Sequence, residues 1–280
     1  MNLGLTDKAV FVTGASGGIG RKVAEVLAEE GAHVILHGHR QWDRMCEWLS
    51  SQGWRDRALA VRADVTDPGA VDRAFAEAVE RFGPLHGCVV NAGVWPPADT
   101  ALVDMGDERV RVTLGINLEG AIWTSRAFLR SIRASGPAEQ GVGASLVYTG
   151  STAAKFGEKG HSDYAASKAG LYGLMRSLKN EIVDIDPYGR VNVVEPGWTV
   201  TEMTAAKIHE PGVVEKVVRT MPVQQLARTQ DIAHALITLL SPTLARHITG
   251  EAITVAGGME GRVLREAEDV DATAVKERLS

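Results

Sequence analysis

The sequence predicts an α/β fold: a Rossmann-like, doubly wound parallel sheet of about seven strands with helices on both faces. Three observations carry this. Short β-branched runs alternate with longer amphipathic segments, as in parallel βαβ units. Several runs are apolar throughout, such as VFV at 10–12 and VIL at 34–36, the mark of strands covered on both faces. Glycine supplies 30 of 280 residues with only 10 prolines. That is above the roughly 7% average and fits tight strand-to-helix turns.

The elements follow in order. Strand 9–13 runs into a glycine-rich turn and helix 18–30. Strand 33–37 and helix 42–50 form the next unit, then strand 58–62 and helix 68–82. Asp67 before Pro68 reads as an N-cap with proline at the first helical position. Strand 87–91 precedes a long helix at 107–133. A Gly/Pro-rich surface loop at 135–143 leads into strand 145–149. Helix 163–183, strand 190–194, helix 230–240 and strand 252–255 complete the sheet. Residues 1–259 read as one domain and 260–280 as a polar tail with six acids and four bases, helical from about Asp271.

Composition narrows the function. Hydrophobic residues at 45% and charged residues at 23% exclude disorder and fibrous classes. A net charge of −5 lacks the basic footprint of a nucleic-acid or anionic-membrane binder. Uncharged apolar runs such as 142–148 fall far short of the ~20 residues that span a bilayer. The N-terminus lacks a basic n-region and cleavage site. Two cysteines, Cys46 and Cys88, make no disulfide framework, so a reducing cytoplasm is expected.

Thr13-Gly14-Ala15-Ser16-Gly17-Gly18-Ile19-Gly20 lies between the first strand and first helix. Glycine lets backbone approach a pyrophosphate, and a helix N-terminus offers free N–H groups and a positive dipole end. Gly14, Ser16, Gly17, Gly18, Ile19 and Gly20 are the candidate phosphate contacts. A tight βα turn with no ligand is the alternative.

With this turn, the sequence resembles the short-chain dehydrogenase/reductase family in its single-domain form. The resemblance covers about residues 8–259. It rests on TGASGGIG at 13–20, Asp64-Val65, Asn91-Ala92-Gly93, Asn117, Ser151, Tyr164-Ala165-Ala166-Ser167-Lys168 and Pro196-Gly197, all in order. It implies a hydride-transferring oxidoreductase with a nicotinamide cofactor and a small carbonyl or alcohol substrate. It also implies a homodimer or homotetramer packed through helices 107–133 and 163–183.

Tyr164 and Lys168 are four residues apart in a helix and so share one face. Lowering a tyrosine pKa by about three units takes about 4 kcal/mol. One ammonium about 4 Å away supplies roughly that at an effective dielectric near 20. Lys168 is therefore expected to activate Tyr164 as the general acid/base, helped by an oxidised nicotinamide. Ser151, thirteen residues before Tyr164, is expected to donate to the substrate oxygen. The resemblance gives Asn117 a water-mediated relay through the lysine. A serine-hydrolase reading of Ser151, His161 and Asp163 fails, because no G-x-S-x-G elbow exists. A metal site at His37-x-His39 lacks a third ligand, so no metal is expected.

The resemblance places Asp64 and Val65 beside adenine, Asn91, Ala92 and Gly93 beside its ribose, and Pro196, Gly197, Thr199 and Thr201 along the nicotinamide and phosphates. An acid at the end of the second strand would repel a 2′-phosphate. Here that end reads His37-Gly38-His39-Arg40. Arg40, with His39, is suited to a phosphate, so NADP(H) is expected over NAD(H). Trp95, Ala153, His161 and Trp198 are the candidate substrate pocket, under a mobile lid after Pro196. Glu195, a carboxylate near the nicotinamide end, has no assigned role.

Two other functions use the same fold. A non-catalytic dinucleotide-binding sensor needs only the nucleotide half, so intact Ser151, Tyr164 and Lys168 argue against it. A nucleotide-sugar epimerase or dehydratase shares the Tyr–Lys pair, but the compact glycine spacing and short C-terminal part argue against that branch.

Overall fold

The computed structural model describes residues 2–279 other than 203, 206, 262 and 264. Its main sheet holds β1 (Ala9–Val12), β2 (His33–Gly38), β3 (Ala58–Arg62), β4 (Gly87–Val90), β5 (Ser145–Thr149), β6 (Arg190–Pro196) and β7 (Ala252–Val255). All pairings are parallel, in the order β3-β2-β1-β4-β5-β6-β7. The order reverses between β1 and β4, and their carboxyl ends open the crevice where such sheets bind ligands.

Strand alternation divides the core. Phe11 on β1 points to one face with Phe75, Phe128, Leu171 and Met175. Val10 and Val12 point to the other with Leu27, Leu36 and Leu236. The first face is covered by α3 (Pro68–Phe82), α5 (Gly120–Ser135) and α7 (Ser162–Glu181). The second is covered by α1 (Gly18–Glu29), α2 (Trp42–Ser50) and α9 (Thr229–Leu240). Asp67 caps α3 as expected, accepting from Gly69 N and Ala70 N.

Three features depart from the expected elements. The helix read as 107–133 is α4 (Asp107–Leu114) and α5, joined by a π-helical turn at Gly115–Glu119 that contains Asn117. Such turns insert one residue into an amphipathic pattern without breaking its periodicity over a long window, and they recur at functional sites. A short helix, α6 (Ala153–Phe156), fills the stretch between β5 and α7. Thr199–Val200 also pairs with Ala227–Arg228 in a two-strand ribbon below the lid helix α8 (Val213–Val218).

The tail is less polar in effect than in composition. Asp271 caps α10 (Ala272–Glu277) through Thr273 N and Ala274 N. Val270 and Val275 are buried against Ile208, Val214, Val218 and Leu226. Arg265 donates to Pro222 O at 2.7 Å and to Met221 O. The tail thus packs against α8 of its own chain.

Candidate active site

A cleft of about 1470 Å³ runs along the carboxyl ends of β1, β4, β5 and β6. At one end stands the glycine turn. Gly14 has φ +66, a conformation that glycine favours, and a side chain there would press on Ala92 Cα at 2.9 Å. A Cβ on Gly20 would overlap Gly14 O and crowd the Asn91 amide. Gly20 therefore tightens the turn and does not border the cleft, whereas Gly14, Ser16, Gly17, Gly18 and Ile19 do. The N-terminus of α1 has no side-chain cap and no acid in its first turn. Its free N–H groups and positive dipole end suit a pyrophosphate. On these grounds the residues present fit a dinucleotide.

His37 holds this turn in place, a role not read from the sequence. Its Nδ1 accepts Gly14 N–H at 3.2 Å and its Nε2 donates to Ala63 O at 3.0 Å. Both ring nitrogens are engaged, which removes it from metal binding. Burial lowers its pKa to about 4. Its partner backbone groups lie 23 and 26 residues away, so no local pattern marks them.

Asn91 is a second staple. Its amide donates to Thr13 O at 3.1 Å and Gly14 O at 3.3 Å, and its Oδ1 accepts from Thr149 at 3.2 Å. The side chain ties β1, β4 and β5 together, and its expected ribose contact falls to what it shows the cleft beside Ala92 and Gly93. Asp64 and Val65 line the cleft beyond β3. Asp64 accepts from Thr66 N and Oγ1 at 2.9 and 2.8 Å. Burial opposes its charge, yet these bonds, with His39 and Arg40, hold its pKa below the usual range. His39 and exposed Arg40 flank the same end of the cleft.

At the other end, Ser151 follows β5 and Tyr164 and Lys168 lie in α7. Lys168 is 5% exposed and donates to Thr149 O at 2.8 Å. Burial lowers its pKa to about 8. Tyr164 departs from the expected activation. Its pKa is raised to about 12 by burial, with Glu158 adding to the rise and the Ser151 hydroxyl partly offsetting it. The Lys168 ammonium sits 5.9 Å from the Tyr164 ring centroid. The phenol is thus a proton donor at neutral pH.

Asn117 is 1% exposed and does not border the cleft. Its Oδ1 accepts Val94 N–H at 2.7 Å, and its Nδ2 donates to Val94 O at 2.9 Å and Ser167 Oγ at 3.0 Å. Both amide hydrogens are committed and Oδ1 keeps one lone pair, so the side chain positions the loop after β4. It still lies near Lys168, since a Cβ on Gly93 would meet Asn117 Oδ1 at 3.1 Å and Lys168 Nζ at 3.4 Å.

The start of α7 is fixed by Asp163, a residue the sequence reading set aside with the failed triad. Arg109 donates to both its oxygens at 3.1 and 3.2 Å, and Thr113 donates at 2.9 Å. Burial opposes its ionisation, but Arg109, Thr113 and the Tyr164 N–H keep its pKa low.

Pro196, Gly197, Trp198, Thr199 and Thr201 line the cleft, as do Trp95 and Ala153. Thr199 Oγ1 donates to Gly197 O at 3.0 Å, so its hydroxyl is spent locally. His161 does not reach the cleft. It is 1% exposed behind Trp95, stacked on it at 4.7 Å, with Nε2 bonded to Pro96 O at 2.8 Å. Its spacing from Tyr164 placed it near the pocket, but the ring turns inward. Glu195 is 2% exposed and accepts from Thr254 Oγ1 at 2.7 Å.

Comparison with known proteins agrees with this arrangement. A family model described as enoyl-(acyl carrier protein) reductase matches residues 14–260. An acetoacetyl-CoA reductase of Synechocystis sp. is 34% identical, covering 92% of this chain and 98% of its own. An L-rhamnose 1-dehydrogenase (NAD(P)+) of Azotobacter vinelandii is also 34% identical, covering 91% and 97%. Among solved structures, a short-chain dehydrogenase/reductase (glucose/ribitol dehydrogenase) from Brucella melitensis superposes with a TM-score of 0.81 at 28% identity, covering 92% of this chain and 98% of that one. The chain belongs to the short-chain dehydrogenase/reductase family and is an NAD(P)-dependent oxidoreductase that transfers a hydride between its cofactor and a secondary alcohol or ketone.

Proposed function

We propose that this enzyme interconverts a ketone and a secondary alcohol with NADP(H) preferred over NAD(H), and that Tyr164 donates and recovers the proton. The observation that carries this is the convergence of Ser151, Tyr164 and Lys168 on the cleft that also receives the uncapped N-terminus of α1. The nicotinamide, when bound, supplies or takes up the hydride. In reduction, the Ser151 hydroxyl orients the substrate oxygen, and the Tyr164 phenol, held protonated by burial, protonates it. Lys168, anchored on Thr149 O, places a positive charge where the phenolate forms. Asn117, bonded to Val94 and Ser167, holds the relay water through which the proton returns to Lys168. Arg40 and His39 at the far end of the cleft support the 2′-phosphate preference, because no acid stands at the end of β2.

The same reading makes residues 1–259 one catalytic domain, working as a homodimer or homotetramer in a reducing cytoplasm. The half-exposed Val112 on α4 and Ile253 on the edge strand β7 support an assembly, and free Cys46 and Cys88 support the compartment.

The test is Tyr164→Phe. Turnover should fall by about 10²–10⁴, the usual worth of a positioned acid/base, while NADP(H) binding holds within a few-fold. Wild-type turnover in that variant overturns the assignment.

A further inference from the structure

The reading above leaves open what the cleft selects, and the surroundings of Glu158 bear on that. Its Oε1 accepts the Trp95 indole N–H at 3.2 Å and lies 3.6 Å from His161 Nδ1. Trp95 is itself fixed, stacked on His161 with ring planes 12° apart and with the Lys207 ammonium 4.3 Å from its centroid. His161 is anchored to Pro96 O. One carboxylate oxygen is therefore held in place. The other, Oε2, makes no hydrogen bond or ion pair among the described residues, on a side chain 35% exposed that lines the same cleft as Tyr164. Tyr164 also feels the charge of Glu158.

A fixed carboxylate with an open oxygen can accept a donor from a ligand in place of water. A substrate hydroxyl supplies one. An acyl thioester offers no donor next to its ketone. We propose that Glu158 is a specificity residue that accepts a second hydroxyl of a small polyhydroxylated substrate, adjacent to the carbon held by Ser151 and Tyr164, with Trp95 holding the carboxylate in place. This rests on the oxidoreductase reading and deepens it by naming the substrate class. Lys159 and Lys216 also line the cleft and would favour an anionic carrier, which makes acetoacetyl-CoA the appropriate counter-probe.

The experiment compares kcat/KM for trans-1,2-cyclohexanediol against cyclohexanol, and for D-glucose against 2-deoxy-D-glucose, in wild type, Glu158→Gln and Trp95→Phe. Acetoacetyl-CoA is assayed alongside. Wild type should prefer the hydroxylated member of a pair by about tenfold to a hundredfold, as a hydrogen bond to a charged group allows. Glu158→Gln should cut that ratio about tenfold, through KM more than kcat. Trp95→Phe keeps the ring but loses the N–H that anchors Glu158, and should lower the ratio in the same direction. Equal kcat/KM within each pair in wild type overturns the proposal, whether or not the variants fold. A ratio unmoved in a folded Glu158→Gln also overturns it. Turnover of acetoacetyl-CoA alone overturns the substrate class and leaves the oxidoreductase reading standing. A wild type that binds NADP(H) but turns over no probe overturns both.

Discussion

Nδ1 of His37 accepts the backbone N–H of Gly14 at 3.2 Å, so a buried neutral imidazole holds the first glycine of the phosphate-facing turn. Protonating that nitrogen would turn an acceptor into a donor facing a donor. The pKa falls from 6.5 to about 4 on folding, so the unfolded chain takes up the proton first as pH drops. The stability linked to His37 is complete above about pH 6.5 and is lost progressively toward pH 4, up to about 3 kcal/mol. Urea unfolding at pH 7 and pH 5 should show this loss. It should be smaller in His37→Leu, where only the parallel shift of His86, also lowered to about 4, remains.

Lys168 titrates in the working range. Burial lowers it from 10.5 to about 8, so its charge is present below that pH and disappears above it. Ketone reduction needs the ammonium to stabilise the developing phenolate. A plot of kcat/KM against pH should fall above about pH 8 with the slope of one proton. A rate that stays level to pH 10 would remove Lys168 from that role.

Arg40 should set the cofactor preference. Replacing it by Asp brings a carboxylate to the adenine end, where it repels a 2′-phosphate and accepts ribose hydroxyls. The ratio of dissociation constants should swing toward NAD(H) by about tenfold or more, since 1.4 kcal/mol is a factor of ten. Isothermal titration with both cofactors reads it directly. An unchanged ratio would place the phosphate elsewhere.

The Arg109–Asp163 pair supports the catalytic helix from outside the chemistry. The Asp163 side chain is 0% exposed and Arg109 18%. Removing one partner strands the other and typically costs about 3–5 kcal/mol. Asp163→Ala should lower the unfolding free energy by about this amount and reduce kcat through a misplaced Tyr164. A variant with wild-type stability would show the pair to be dispensable.

The strand ends and the residues that follow them were legible because their signals are local. Glycines 14, 17 and 18 border one turn, and Tyr164 and Lys168 share one helical face. The parallel sheet followed from apolar strands alternating with amphipathic helices. What escaped depends on partners far apart in the chain. The imidazole of His37 meets backbone 23 and 26 residues away, and Trp95 meets Glu158 across 63 residues. Asn117 was visible as an amide in a helix, but its bonds to Val94 and Ser167 were not. Tyr164 was expected to be activated by its neighbour four residues on. Burial, which spacing does not reveal, raises its pKa. The acids and bases of the tail hid Val270 and Val275, whose burial comes from α8.

The π-turn at Gly115–Glu119 also sets a phase. Upstream of it, Thr113 points at Asp163, and downstream, Phe128 and Ile132 enter the core beside α3. Each helical residue advances the rotation by about 100°. Deleting a single residue from the turn would leave a regular helix with its two halves still in phase, whereas a deletion within α4 or α5 would rotate one half against the other by about that angle. Thr113 and the core face of α5 could not then both be satisfied, so this rod should tolerate a change in its count at the turn and nowhere else along its length.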